Sequence, residues 1–293
     1  MSKQDLFDHL KSGQTHVCQC WAVTRTDGKV YGFTDHDRAL SFDNITFQAD
    51  SGLSAKALSS STGISVNNTE AVGLLQSDVI SERDITAGRF DGAEVVNWLV
   101  CWKDVSARQI RFRGTIGEIS RQAGQFQAEL RGLTDKLNQP QGRSYLRTCS
   151  AVLGDAKCGF DLADAAYRID TDVTEVVDVR TLKLTAQTFN DRWFEQGRLQ
   201  VRTGKAKGLS GAIKHDRKHS GHRIITLWHP IRDLIEPGDE VRLIAGCDRR
   251  AETCRVKFDN FINFQGFPDM PGDDWMMAVP RASDDSDGGS LVR

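Results

Sequence analysis

The sequence lacks the long apolar segments that membrane proteins need. Its most apolar run, residues 95–102, is short and contains Asn97, whereas a membrane-spanning helix needs about 20 apolar residues. Residues 1–14 also contain no apolar stretch of the kind found in secretory signal peptides. We therefore expect a protein without a membrane span that is made and folded in the cytoplasm.

An excess of positive charge and the short motifs of common enzymes are also missing. The 38 Lys and Arg residues are matched by 40 Asp and Glu residues, while general nucleic-acid binders usually carry a marked excess of basic residues. We find no Gly-x-Ser-x-Gly, His-Glu-x-x-His, Gly-x4-Gly-Lys-Ser/Thr or Gly-x-Gly-x-x-Gly motif. We therefore assign no catalytic residue and expect a protein that is not an enzyme.

Short strand patterns dominate what is present. They cover residues 16–26, 29–34, 109–116, 125–131, 181–186, 222–228 and 240–245. The first two flank Asp27-Gly28, a strong hairpin signal, and the next two flank a Gln122-Ala123-Gly124 turn. Helix patterns are short and lie at residues 4–11 and 133–138. The sequence predicts a mainly β fold with barrel-type domains and few short helices.

Seven cysteines are the main candidates for site residues. They are Cys18, Cys20, Cys101, Cys149, Cys158, Cys247 and Cys254. Disulfides are rare in a reducing compartment, and an odd number fits a full set of disulfides poorly. Metal binding is therefore the main functional alternative to plain burial.

Four of these cysteines form two pairs in polar, glycine-containing loops. Cys149 and Cys158 have the spacing Cys-x8-Cys, and Cys247 and Cys254 have the spacing Cys-x6-Cys. Basic residues in both loops favour the thiolate form that metals bind. Spacing alone leaves metal binding and plain burial equally open, because neither pair has the short Cys-x2-4-Cys spacing of common zinc sites. Four thiolates accept either zinc or an iron–sulfur cluster.

The other candidates have simpler interpretations. Cys18 and Cys20 share one face of a predicted strand, and we predict that they and Cys101 are small buried hydrophobic residues. In the segment Thr34-Asp35-His36-Asp37, a histidine lies between two carboxylates, as in a metal or acid–base site. We favour a turn in which the aspartates accept hydrogen bonds from backbone amides.

Several short motifs carry a resemblance to a known family. They are Thr34-Asp35-His36-Asp37; Leu153-Gly154-Asp155 and Cys158-Gly159; Gly246-Cys247-Asp248, Cys254, Lys257-Phe258 and Asn260; and Asn263-Phe264-x-Gly266-Phe267-Pro268 with Pro271-Gly272. Together, over residues 15–275, they resemble the tail hub proteins of long-tailed phages and gene transfer agents. Within that family the chain is most similar to gene transfer agents of alphaproteobacteria.

The resemblance implies a structural protein of the tail tip, or baseplate, of a virion-like particle. It implies a ring-forming homo-oligomer, a trimer, that joins the distal tail protein to tip or fibre (megatron-like) proteins. A cell-wall peptidase and the tape measure protein are further implied neighbours, and DNA would meet the ring only in transit.

The resemblance also implies that the two cysteine pairs bind one iron–sulfur cluster. The implied ligands are Cys149, Cys158, Cys247 and Cys254, and the implied cluster is of the [4Fe-4S] type, with zinc as the alternative. Because 88 residues separate the two pairs, the cluster would act as a staple between distant loops. An iron–sulfur redox protein and a zinc-stapled DNA-binding module are the rival functions.

A basic stretch at residues 202–223 bears on the DNA-binding rival. Its basic residues are Arg202, Lys205, Lys207, Lys214, Arg217, Lys218 and Arg223, together with His215, His219 and His222. It offers contacts to DNA or to acidic subunits, but a solvated hairpin is the usual outcome for such a stretch.

Three regions follow from these patterns. We predict an N-terminal β-rich hub domain over residues 1–138 and a second β-rich region with the cysteine loops over residues 139–277. We also predict a flexible acidic tail over residues 278–293. The aromatic loop at residues 263–275 is either a protein contact surface or a small core under the second cysteine loop.

Overall fold

The chain folds around two β-sheets that follow one another in sequence, as a computed structural model shows. The structure describes residues 3–13, 15–49, 68–74, 80–122, 125–132, 142, 145–185, 188–219 and 221–270. The predicted helix at residues 133–138 and the predicted tail at residues 278–293 lie outside these ranges. The mainly β fold is confirmed, while the exact domain limits stay a prediction.

The first sheet contains eight strands in the order β3-β4-β2-β1-β6-β7-β8-β5. Their bounds are β1 (Val17–Thr24), β2 (Val30–Thr34), β3 (Leu40–Phe42), β4 (Ile45–Gln48), β5 (Asn68–Leu74), β6 (Glu94–Cys101), β7 (Asp104–Gln122) and β8 (Gln125–Gly132). In the described part of the chain two helices accompany it, α1 (Lys3–Lys11) and α2 (Glu82–Thr86). The predicted N-terminal helix is thereby confirmed.

Both predicted hairpins are present in this sheet. Strands β1 and β2 pair in antiparallel register with Trp21 opposite Phe33, and Gly28 takes the positive φ that the turn requires. Strands β7 and β8 form the second, longer hairpin. The apolar face of the sheet packs around Trp21, Phe33 and Phe90, which are buried.

The second sheet is a closed barrel of six strands in the order β10-β13-β12-β11-β14-β9. Their bounds are β9 (Arg168–Val176), β10 (Thr181–Thr185), β11 (Arg198–Val201), β12 (Ser210–His219), β13 (His222–Leu227) and β14 (Glu240–Ile244). Alternate residues such as Leu184, Leu199 and Leu243 point inward and form its core. Within the described residues, closure into a barrel is shown for this sheet and not for the first.

One charged pair lies inside the barrel. Arg223 and Asp216 both have fully buried side chains, and Arg223 Nε donates to Asp216 Oδ1 at 2.6 Å. The expected solvated hairpin over the basic stretch is therefore wrong for Arg223, because a buried carboxylate and backbone carbonyls compensate its loss of water. Lys205 and Arg217 of the same stretch pair with Glu236 and Glu195 on the barrel surface.

Ion pairs connect the two sheets. Asp233, in the segment between β13 and β14, accepts from Arg83 at 2.7 Å and lies 3.5 Å from Arg89. Arg89 also donates to the backbone carbonyls of Lys205 and Lys207. These contacts attach the α2 region of the first sheet to one side of the barrel.

Helices in the described ranges are few and short. After the barrel come α3 (Ala251–Val256) and a 3-10 helix (Phe261–Asn263). Among the described residues, no helix has the length and apolar character that a membrane crossing requires.

Candidate functional site

The two cysteine pairs come together where the first and last strands of the barrel pair. Cys158 precedes β9, the first barrel strand, and Cys247 follows β14, the last one. These two strands are antiparallel neighbours, with Arg168 opposite Ile244. Just beyond this register the backbone N–H of Ala245 donates to the carbonyl of Tyr167 at 2.7 Å. The chain therefore enters and leaves the barrel at one place.

All four paired cysteines line one small cavity at this entrance. Its wall is completed by Ala151, Leu153, Arg249, Arg250, Phe258, Asn260, Asn263 and Phe264. Cys254 is buried and the other three cysteines are half-buried. In the part of the chain that the structure describes, no three His, Cys, Asp or Glu side chains are arranged to hold a single metal ion. Metal binding by these cysteines stays a prediction.

The first cysteine loop is shaped by one aspartate. Asp155 accepts three backbone hydrogen bonds, from the N–H groups of Val152 at 2.9 Å, Lys157 at 2.9 Å and Cys158 at 2.7 Å. The bonds from Val152 and Cys158 are the main reason that the pKa of Asp155 lies below its ordinary value. The preceding Gly154 adopts a positive φ of 82°. The Leu-Gly-Asp motif therefore folds the loop that presents Cys158.

The second pair is attached to the barrel through Lys257. Its Nζ donates to the backbone carbonyls of Trp193 at 2.7 Å and Gly246 at 2.8 Å, and it lies 4.5 Å from the centre of the Trp193 ring. Burial lowers the pKa of this amine to about 8. The hydroxyl of Tyr167 donates to the carbonyl of Lys257 at 2.9 Å. Lys257 thus fixes the end of α3 to the base of the barrel.

A third segment, residues 263–268, closes the site from the other side. The backbone N–H of Gln265 donates to Cys149 Sγ at 3.3 Å, and the N–H of Phe267 donates to the carbonyl of Leu146 at 2.9 Å. At Gly266 the chain passes so close to the Thr148 backbone that a Cβ atom would collide with it. The segment therefore packs against the first cysteine loop, and Phe264 belongs to the cavity wall. The predicted loop continues to Trp275, which lies outside the described residues.

Two of the thiols, those of Cys247 and Cys254, favour the protonated form, contrary to the expectation from the basic residues in the loops. Burial raises the pKa of Cys254 to about 11, with further contributions from Cys247, Cys149 and Cys158. Burial also raises the pKa of Cys247. Since a metal binds thiolates, uptake of a cation at this cavity would release protons.

Direct contacts also connect the two pairs. The N–H of Cys149 donates to the carbonyl of Arg249 at 2.8 Å. Asn260 Nδ2 donates to the carbonyl of Cys158 at 2.7 Å and lies 3.5 Å from Cys158 Sγ. Sequence patterns do not reveal these contacts, because both join residues that are far apart in the chain and both use backbone groups.

The remaining candidates behave as predicted. Cys18 and Cys20 are buried beside Phe42 and Phe47, and Cys101 is buried beside Leu6. Their burial is confirmed.

The turn predicted at residues 34–37 is confirmed in part: the chain bends after Thr34, the last residue of β2, and Asp35 bonds a backbone amide, whereas Asp37 lies 3.0 Å from His36 Nδ1. Asp35 Oδ1 accepts from the N–H of Gln19 at 2.7 Å, as expected for an aspartate that bonds a backbone amide. The structure also shows that His16 and His36 both pack against the ring of Trp102.

Residues 3–161 match the family described as baseplate hub protein, N-terminal attachment domain. The chain belongs to the baseplate hub protein family. Residues 192–274 of this hub protein match a second family, described as phage conserved hypothetical protein BR0599. The first match includes the first cysteine pair and the second match includes the second pair.

The hub protein is also similar to a solved structure described as the virion of a native gene transfer agent particle. The two chains share 51% sequence identity with a TM-score of 0.89, and the match covers 98% of the hub protein and 99% of the other chain. No curated protein matches the hub protein. The predicted tail hub family and the predicted location in a virion-type particle are confirmed. Membership in a structural virion family favours a role without catalysis.

Proposed function

We propose that this hub protein is a ring-forming subunit of a phage-like tail baseplate. The ring, a trimer, joins the distal tail protein to tip or fibre proteins and surrounds the channel through which DNA passes. Support comes from the baseplate hub family match and from the similarity to a chain of a gene transfer agent virion. Head-to-tail contacts between unlike patches would close such a ring.

Within each subunit, we assign an iron–sulfur cluster of the [4Fe-4S] type to the four paired cysteines. One observation supports this assignment most strongly. Two pairs that lie 88 residues apart in sequence face the same cavity. Four thiols with backbone and amide N–H groups close to two of their sulfurs are a donor set that suits a thiolate-bound cluster. When bound, the cluster would supply iron–thiolate bonds between the two loops.

The cluster would not be what holds the two ends of the barrel together. Pairing of β9 with β14 already holds the two ends of the barrel together. The cluster would instead fix the loop at residues 145–166 and the α3 segment onto the barrel entrance. Metal–ligand bonds made in the folded state add their binding free energy to folding. We therefore propose a structural staple for this surface rather than an electron carrier.

The test of the cluster is purification without oxygen, followed by a visible absorption spectrum and by iron, sulfide and zinc analysis. We expect a brown protein with equal amounts of iron and sulfide. Cys149→Ser and Cys254→Ser should lose both, while Cys101→Ala, at a buried cysteine of the first sheet, should keep them. One zinc per chain would replace the cluster with a zinc staple. A folded, metal-free protein would refute the metal site.

The test of the ring is the mass of the assembly in solution by sedimentation velocity. We expect a species with three times the mass of one chain. A protein that stays monomeric at all concentrations, alone and mixed with the distal tail protein, would refute the trimer.

A further inference from the structure

Asn260 lies between the two cysteine loops and contacts both of them. Its side-chain Nδ2 donates to the carbonyl of Cys158 at 2.7 Å and approaches Cys158 Sγ at 3.5 Å. Its backbone N–H donates to the carbonyl of Cys254 at 3.0 Å. Its carbonyl accepts from Cys254 Sγ at 3.4 Å. One residue therefore joins a cysteine of the first pair to a cysteine of the second.

The amide orientation of Asn260 is fixed by a neighbour. Asn263 Nδ2 donates to Asn260 Oδ1 at 2.7 Å, which leaves the Nδ2 of Asn260 directed at Cys158. An aspartate at position 260 would have no hydrogen to donate and would place a carboxylate oxygen beside the Cys158 carbonyl. Alanine would remove the bridge altogether. The chemistry of the contact therefore requires a side-chain amide.

We propose that Asn260 is a positioning residue that holds Cys158 against Cys254 before any metal group binds. The proposal rests on the metal site assigned above, and it adds that the cysteine cage is preformed in the metal-free hub protein. In small zinc domains the site forms only when the metal binds. Here the pairing of β9 with β14 and the contacts of Asn260 hold the cysteines around one cavity, so the metal group would enter a folded site.

The test measures how fast Cys158 and Cys254 are alkylated by iodoacetamide in metal-free full-length protein, with peptide mapping by mass spectrometry. In the wild type both thiols should react much more slowly than in urea-unfolded protein. Asn260→Ala and Asn260→Asp should increase the rate at Cys158 about tenfold, because loss of the part-buried hydrogen bond from the side chain costs about 1.4 kcal/mol. The rate at Cys254 should change less, because its contacts are to the backbone of Asn260. The control is Asn190→Ala, where the asparagine side chain is exposed.

Two results would overturn the proposal. One is that wild-type thiols react as fast as those of the unfolded chain, and the other is that both Asn260 variants match the wild type. Circular dichroism checks that each variant keeps its β-sheets, and Asn260→Asp, which keeps the side-chain size, covers the case in which the alanine variant does not fold. Iron and sulfide uptake by the wild type is measured separately, so failure of the metal site is distinguishable from failure of the Asn260 bridge.

Discussion

The buried pair of Arg223 and Asp216 gives the most quantitative prediction for the barrel. Besides the 2.6 Å bond from Nε, Arg223 donates from Nη2 to Asp216 Oδ2 at 2.7 Å and to the carbonyl of Asn190 at 2.6 Å. Asp216 Oδ2 also accepts from the N–H of Phe194 at 2.8 Å. The pair thus holds the segment before β11 against the β12–β13 hairpin.

The substitutions Arg223→Met and Asp216→Leu each leave one buried charge without its partner. We expect each to reduce the free energy of unfolding by about 3–5 kcal/mol. The double variant removes both charges and replaces them with apolar side chains. Its remaining cost is the backbone groups that lose their partner, about 1–3 kcal/mol for each group. Because it leaves no unpaired buried charge, it should lose clearly less than the sum of the two single losses.

The assay is urea unfolding of the full chain, monitored by circular dichroism. The urea concentrations at the midpoints are compared, provided that the dependence of the unfolding free energy on urea concentration is the same for all variants. Lys205→Met is the control, because both side chains of the Lys205–Glu236 pair are about half exposed and an exposed pair contributes about 0–1 kcal/mol. Single variants within about 1 kcal/mol of the wild type would refute the reasoning. So would a double variant that loses the sum of the two single losses, because that result would mean no coupling between the charges.

Three further predictions concern the surroundings of the site. Gly246→Ala should unfold at lower temperature than the wild type and bind less metal, because a Cβ atom there would collide with the backbone of Glu195. Gly211→Ala is the control, because a Cβ atom there would meet only side-chain atoms of Leu227 and Ile231, at 3.1 Å or more. Lys257→Met should lose about 1–3 kcal/mol of unfolding free energy, measured in urea, because two backbone carbonyls lose their donor. Burial tends to raise the pKa of Asp233, but hydrogen bonds from arginine outweigh it and lower the pKa. Asp233→Asn should therefore melt earlier at pH 7, and the difference from the wild type should shrink as the pH falls past the ordinary value of 3.8 and vanish only below the lowered pKa of the folded state.

Local patterns were enough for the parts of the fold that depend on neighbours in sequence. The hairpin at Asp27-Gly28 follows from a turn that needs a positive φ, and glycine supplies it without steric cost. Alternation of apolar residues predicted strands at residues 181–186, 222–228 and 240–245, since one face of each strand lines the barrel core. The burial of Cys18, Cys20 and Cys101 was also predicted from the sequence.

What the sequence by itself determined is therefore the mainly β fold and the family, while it left the role of the four paired cysteines as a prediction. Barrel-type domains were expected, but which strands close the barrel was decided only by the tertiary structure, and this closure brings Cys158 and Cys247 to one cavity. Strand pairing between β9 and β14 joins residues more than 60 positions apart, and no local pattern specifies such a register. The burial of Arg223 and the contacts of Asn260 depend on partners that the closed barrel brings close to them. Whether a charged or polar side chain is buried depends on which groups surround it in the folded chain, and those groups come from distant parts of the sequence.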